Sequence, residues 1–140
     1  DDLLVAAGLK NYEVSNWSLL DRECQHNRLY WLQGNYAGFG SAAHAHHDGR
    51  RSWNVRTPDR FIELINSSQS AESSFEVLGE QERRLEGLQL AMRMREGVPM
   101  DSFTTEDLEM MSELLNVAHG VVTLTRAGRL LANEVLIRLK

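Results

Sequence analysis

Residues 23–44 read ECQHNRLYWLQGNYAGFGSAAH, and no other window of the chain is as rich in groups that ligate, stack or hydrogen-bond. The stretch holds the only cysteine, Cys24, with two of the five histidines, two tyrosines and a tryptophan; a glycine-punctuated apolar run then ends on His44. His26, Asn27, Tyr30 and Trp31 have helical spacing, in which residues three and four apart share a side. That spacing brings an imidazole next to aromatic rings, an arrangement suited to a flat, apolar or metal-bearing ligand. It suits equally an amphipathic helix whose Tyr30 and Trp31 fill a core and whose His26 makes an ordinary hydrogen bond. Gly38 and Gly40 would let the backbone approach a ligand or another strand closely. No third glycine follows at the dinucleotide spacing, so the pair is not a nucleotide signature.

Upstream, Leu3-Leu4-Val5-Ala6-Ala7-Gly8 reads as the end of an apolar helix stopped by glycine. Tyr12-Glu13-Val14-Ser15-Asn16-Trp17 follows as a strand ending in small polar residues. Helix, turn and strand in that order have the rhythm of an α/β unit, cut inside a larger domain. Ligands of such sheets lie beyond the carboxyl ends of the strands, which makes Ser15 and Asn16 candidate site residues. Asp21 to Trp31 is expected as a short helix capped by Asp21.

Downstream, His44-Ala45-His46-His47-Asp48 invites a metal reading, since alternate strand residues share a face. Asp48-Gly49, however, is a hairpin-turn signal with Arg50 to Val55 as the returning strand, and His46 and His47 are then expected as solvated turn residues. Pro58 to Ile65 forms a short helix. Residues 66–79 are expected as a linker, because 66–74 are polar with five serines. Glu80 to Glu96 is the clearest helix. A second starts at Thr104-Thr105-Glu106-Asp107 and ends near Asn116. Val121 to Leu124 is a strand, and Thr125 caps a last helix bearing Ala127, Leu131, Val135 and Leu139. The order resembles a winged-helix module. Residues 101–140 hold four basic side chains against six acidic ones, a poor match for a phosphate backbone, so no nucleic-acid partner is expected and the module reads as a packing or lid element.

Composition agrees. The 140 residues carry a formal net charge of −5 and are 42% hydrophobic, as in an ordinary folded domain. One cysteine permits no internal disulfide, which fits a cytoplasmic compartment.

Taken together, these residues resemble the radical S-adenosylmethionine proteins that include oxygen-independent coproporphyrinogen III oxidases and HemW-type heme chaperones. The likeness rests on Tyr12-Glu13-Val14-Ser15-Asn16-Trp17, on Glu23-Cys24-Gln25-His26-Asn27-x-x-Tyr30-Trp31, on Gly38-Phe39-Gly40-Ser41-Ala42-Ala43-His44, on Trp53-Asn54-Val55-Arg56 and on Leu124-Thr125-x-x-Gly128-x-x-Leu131-x-Asn133. Five such motifs in order are specific. The H-N-x-x-Y-W element is similar to that of the chaperone branch.

The resemblance implies an α+β C-terminal fragment. Residues 1–65 would be the last elements of a radical SAM (β/α) partial barrel and an adjoining hairpin, 66–79 a linker, and 80–140 a helical, winged-helix-like C-terminal domain. It implies heme as ligand, with His26 as axial ligand and Asn27, Tyr30 and Trp31 near the porphyrin. Ser15 and Asn16 would lie near S-adenosylmethionine, and the run ending at His44 would line the cavity. Where the family has Pro-Gly-Ala-His-Ser, this chain has Ser41-Ala42-Ala43-His44-Ala45. The family's 4Fe-4S cluster needs C-x-x-x-C-x-x-C; Cys24 alone cannot hold it and reads as a buried structural thiol. The cluster would therefore lie outside this chain, which should have no radical chemistry of its own. Heme-accepting proteins, among them a membrane-associated acceptor, are the implied partners. Self-association is expected through an unpaired edge at Tyr12 to Trp17. The competing readings are oxidative decarboxylation of coproporphyrinogen III and a pure interaction or lid role for the C-terminal module.

Overall fold

A computed structural model describes all 140 residues, and the fold is α+β. By internal contacts the chain forms two compact units: residues 1–32 with 84–140, and residues 33–83. The expected division at a 66–79 linker is not where the contacts thin.

The larger unit is built on nine buried side chains, Met92, Val98, Phe103, Met111, Leu115, Val122, Val135, Leu136 and Leu139. Helix α4 (Glu80–Ala91) places Leu85, Leu88 and Ala91 against them. Of the helices and strands the N-terminal region adds to this unit, α1 (Asp2–Ala6), β1 (Lys10–Asn11), β2 (Trp17–Ser18) and α2 (Gln25–Trp31) are all short. Three strands, β6 (Val98–Pro99), β7 (Leu115–Ala118) and β8 (Val121–Leu124), form an antiparallel sheet in the order β6-β8-β7. His119 and Gly120 both take positive φ in the turn between β7 and β8, the left-handed pair that a two-residue hairpin turn requires. Two threonines open the helices as their spacing predicts. The Thr104 hydroxyl accepts from Asp107 N at 3.0 Å for α5 (Thr105–Met110), and that of Thr125 from Gly128 N at 3.0 Å for α6 (Arg126–Leu130).

Several segments differ from expectation: α4 ends at Ala91 and not Glu96, and α2 begins at Gln25 with Cys24, not Asp21, at its N-cap. The second helix stops at Met110 because Leu115 to Ala118 pairs with β8, Leu115 opposite Leu124. Here tertiary pairing overrides helical spacing. The last helix breaks at Leu131 (φ −114°), and after the break α7 (Ala132–Leu136) buries Ala132, Val135 and Leu136. The expected strand 12–17 is instead the tip of a hairpin, in which Lys10 pairs with Ser18 and Asn11 with Trp17. Asn11 closes the tip from within, its Nδ2 donating to Glu13 O at 2.6 Å and Asn16 O at 3.2 Å. Arg95 N donates to Tyr12 O at 3.2 Å, and Glu13 bridges to Met94. The edge invoked for self-association is thus paired within the chain.

The smaller unit is a meander of β3 (His44–His47), β4 (Arg50–Asn54) and β5 (Glu72–Val77), with α3 (Pro58–Asn66) between the last two. Asp48 and Gly49 make the turn between β3 and β4, both at positive φ. Six residues of the expected linker are therefore strand. Every residue of β5 is exposed, so no apolar alternation marks it. Cross-strand charge holds it to β4: Arg51 stands opposite Glu76 with a 2.8 Å ion pair, Arg50 pairs with Glu72, and the Arg50 guanidinium lies 4.3 Å over the Phe75 ring. All strand ladders are antiparallel, so the chain contains no βαβ unit of its own.

Gly128 supports the core by letting α6 approach the Leu114 backbone; a Cβ there would lie 2.0 Å from Leu114 O. Gly128→Ala is expected to cost about 2 kcal/mol or more, read as a lower midpoint in urea denaturation with the far-UV spectrum of the native state retained.

Candidate functional site

Helix α2 carries the His26 motif. It is seven residues long with none buried, and Cys24 stands at its N-cap without a side-chain cap bond. Cys24 is exposed, not the buried thiol expected. His26 is exposed. Its Nε2 lies 2.7 Å from the Tyr30 hydroxyl, and the two rings meet edge-on with centroids 4.6 Å apart, as residues one helical turn apart can. The imidazole therefore has one aromatic neighbour on its helix rather than two. Trp31, five positions on, points elsewhere: the Arg93 guanidinium sits 5.4 Å over its ring, and its buried Nε1 has no hydrogen-bond partner. Asn27 is half-buried.

An imidazole in this setting fits an axial ligand to heme iron. The porphyrin supplies four nitrogens, so the protein need offer only one or two ligands and not a chelating cluster. No group of three or more His, Cys, Asp or Glu side chains gathers to hold a bare metal ion. Around α2, Leu19, Leu20 and Leu32 are more than half exposed and Tyr30 is 36% exposed, an apolar complement to a flat hydrophobic ligand. The lone Cys24 does not fit a 4Fe-4S cluster.

Ser15 and Asn16 sit at the hairpin tip between β1 and β2, organised by Glu13. This carboxylate is 2% exposed and accepts from Ser15 N at 3.0 Å and from the Asn16 side-chain amide. Sequence reading singled out the two polar residues and passed over the acid that holds them. Its signal, a charged residue at a position flanked by buried Tyr12, is legible only once the tip is known to fold back. Asn16 spends its amide on Glu13, leaving the exposed Ser15 side chain as the free group of the pair.

The smaller unit carries His44. It is exposed on β3, its ring 5.9 Å from that of Trp53, and it lines a cavity of about 290 Å³ with Ala42, Trp53, Asn54 and Arg56. Two motifs of the resemblance meet here: Asn54 Nδ2 donates to Gly40 O at 2.9 Å, Asn54 N to Ala43 O at 2.9 Å and Ala42 N to Val55 O at 2.8 Å. Gly38 passes so close to the His44 carbonyl that a Cβ would stand 2.4 Å from its oxygen, so the glycine serves chain-to-chain approach. His26 and His44 belong to different compact units.

His46 is a correction. Expected as a solvated turn residue, it is 4% exposed, while His47 is exposed as expected. Gly49 N donates to its Nε2 at 3.1 Å, which leaves Nδ1 to carry the proton and donate to Gly34 O at 3.0 Å. With both nitrogens used inside the unit, His46 is a structural brace for the hairpin turn and not a metal ligand.

Two outcomes follow from this chemistry. His46→Ala strands the Gly34 carbonyl and the Gly49 amide, and should destabilise the chain by about 2–6 kcal/mol, at about 1–3 kcal/mol per orphaned group, measured by thermal unfolding. Glu23 responds to acid. A main-chain hydrogen bond first, and the Arg95 and Arg28 guanidiniums after it, hold its carboxyl below the usual carboxylate range against burial that pushes it up. Its contribution is thus present above the unfolded carboxylate's range and lost as pH falls through the lower folded value. Hydrogen exchange of the α2 amides should accelerate over that acid window in the native chain and lose this pH dependence in Glu23→Gln.

No family model matches the chain. Among curated proteins it is 35% identical over 140 residues to the heme chaperone HemW of Mycobacterium tuberculosis, covering 96% of this chain and 36% of that protein. It is 30% identical over 143 residues to the heme chaperone HemW of Bacillus subtilis, covering 93% of this chain and 38% of that one. Among solved structures it superposes on the coproporphyrinogen III oxidase HemN of Escherichia coli, a radical SAM enzyme, with a TM-score of 0.71 over 97% of this chain and 38% of that one, at 13% identity. That last likeness speaks for the fold alone. The chain spans little more than a third of the length of these relatives, and over that span it is similar to proteins named heme chaperone HemW.

Proposed function

We infer that the protein is a heme-binding chaperone that passes heme to acceptor proteins, and that this chain contributes a heme-contacting surface on α2. The observation that carries the reading is the exposed His26 imidazole in edge-on contact with Tyr30. His26 would be the axial ligand, with Tyr30 and Asn27 beside the porphyrin and Trp31 holding the helix. Ser15 and Asn16 would face the S-adenosylmethionine side, and His44 would line a ligand cavity within the smaller unit. When bound, heme iron supplies an electrophilic centre that takes up a neutral imidazole. This chain's part is to present that imidazole in one rotamer and to keep its apolar rim open. The 4Fe-4S cluster would be held by cysteines outside these residues. The last barrel elements would correspond to α1 and the first hairpin, and α4 to α7 with their sheet to a winged-helix-like lid. The acceptors are proteins that take heme, a membrane-associated one among them. No helix here is long and apolar enough to cross a membrane.

A hemin titration followed in the Soret region, on the full-length protein and its His26→Ala variant, tests this reading. Saturable binding that weakens at least about tenfold in the variant is expected, the scale on which loss of a metal's supporting contacts is felt. Equal binding by both would move the ligand, with His44 the next to be replaced. No binding by either would sink the chaperone and return oxidative decarboxylation of coproporphyrinogen III to first place.

A further inference from the structure

Helix α2 has two turns, no buried residue and no side-chain cap, and a helix so short does not persist by its own propensity. One four-residue stretch, Arg93 to Glu96, holds it at three points. Arg95 Nη2 lies 2.8 Å from Glu23 Oε1, just ahead of the helix. In mid-helix, Arg28 Nη1 donates to Glu96 Oε1 at 3.1 Å. At the last residue, the Arg93 guanidinium covers the Trp31 ring, and its Nη2 reaches on to Asn133 Oδ1 at 3.2 Å. Each contact is planar or charge-assisted, the kind that fixes orientation as well as distance. None of them involves His26 or Tyr30, so the clamp grips the helix and leaves the imidazole side open.

We propose that Arg93, Arg95 and Glu96 are positioning residues for His26: they set the pitch and rotation of α2, and through it the direction in which the imidazole is offered to heme iron. The proposal rests on the reading of His26 as heme ligand. It departs from that reading in placing control of the ligand on side chains that touch neither the porphyrin nor the imidazole. It also accounts for Trp31. Its indole serves as a stacking platform for Arg93 and not as a porphyrin contact.

The test uses full-length protein with hemin as probe, reading affinity, Soret position and low-spin electron paramagnetic resonance together with the melting temperature. Arg95→Gln and Arg93→Gln are each expected to weaken binding about tenfold and to alter the low-spin signal, at melting temperatures close to that of the parent. Arg95→Lys, which keeps the charge opposite Glu23, should restore most of the affinity and the parent signal. Parent-like affinity and spectra in both glutamine variants, alongside loss of binding in His26→Ala, would overturn the positioning role while leaving the chaperone reading intact. A well-folded Arg95→Lys as weak as Arg95→Gln would overturn the charge clamp. Parent-like binding by His26→Ala would instead remove the ligand itself, and the proposal with it.

Discussion

The rest of the larger unit depends on the alternation of side chains from Met92 to Arg95. Met92 is 1% exposed and Met94 4%, both turned into the interior, while Arg93 and Arg95 point the other way. The chain here is a turn, with Arg93 N donating to Leu90 O at 3.1 Å and Met94 N to Ala91 O at 2.9 Å. Its backbone also pairs with Tyr12 and Glu13. The turn that leaves α4 thus fastens the N-terminal hairpin by its backbone and α2 by its arginines, while Met92 enters the core. Burying two methionine side chains contributes about 3–6 kcal/mol, at roughly 1.5–3 kcal/mol each. That is enough to pin the turn against which the weaker polar contacts are measured.

Those polar contacts are individually small. Ion pairs near the surface contribute roughly 0–1 kcal/mol, and Arg95 is 37% exposed in its pair with Glu23. Their value to α2 lies in direction. A helix held by its apolar face is free to roll by the width of that face, whereas a stack at the last residue and charged contacts ahead of the helix and in its middle oppose that roll. The smaller unit applies the same logic to β5, where arginines of β4 bond to carboxylates across the ladder.

What the sequence made legible follows a physical rule. Some caps and turns that depend on one or two residues were readable: Thr104, Thr125 and Asp48-Gly49 act through local chemistry, whereas the cap expected at Asp21 is not made. The helix expected over Glu80 to Glu96 was readable as far as Ala91, where its apolar positions face a core. β5 was not, since a strand exposed on every residue shows no alternation, and its serines imitate a linker. β7 was hidden by the helix before it, as nothing local in Leu115 to Ala118 outweighs four more residues of helix until β8 is there to pair. At the site, His26 and Tyr30 were found by spacing, whereas the role of Glu13 and the true position of His46 needed the folded tip and turn. Both are polar groups buried by neighbours a few residues away, and burial of that kind has no period.

The order of the units along the chain has a kinetic consequence. The larger unit is discontinuous, residues 1–32 and 84–140, with the smaller one inserted between. Were the insert an unstructured loop, joining the two halves would cost on the order of 3 kcal/mol of closure entropy for about fifty residues. But the insert's own ends meet, with Gln33 Nε2 donating to Arg83 O at 3.1 Å. Once the β3-β4-β5 meander has formed, it behaves as a staple of nearly zero length, and residue 32 is delivered to residue 84 as though they were neighbours in sequence. A non-local fold is thereby converted into a local one, with assembly running from the middle of the chain outward.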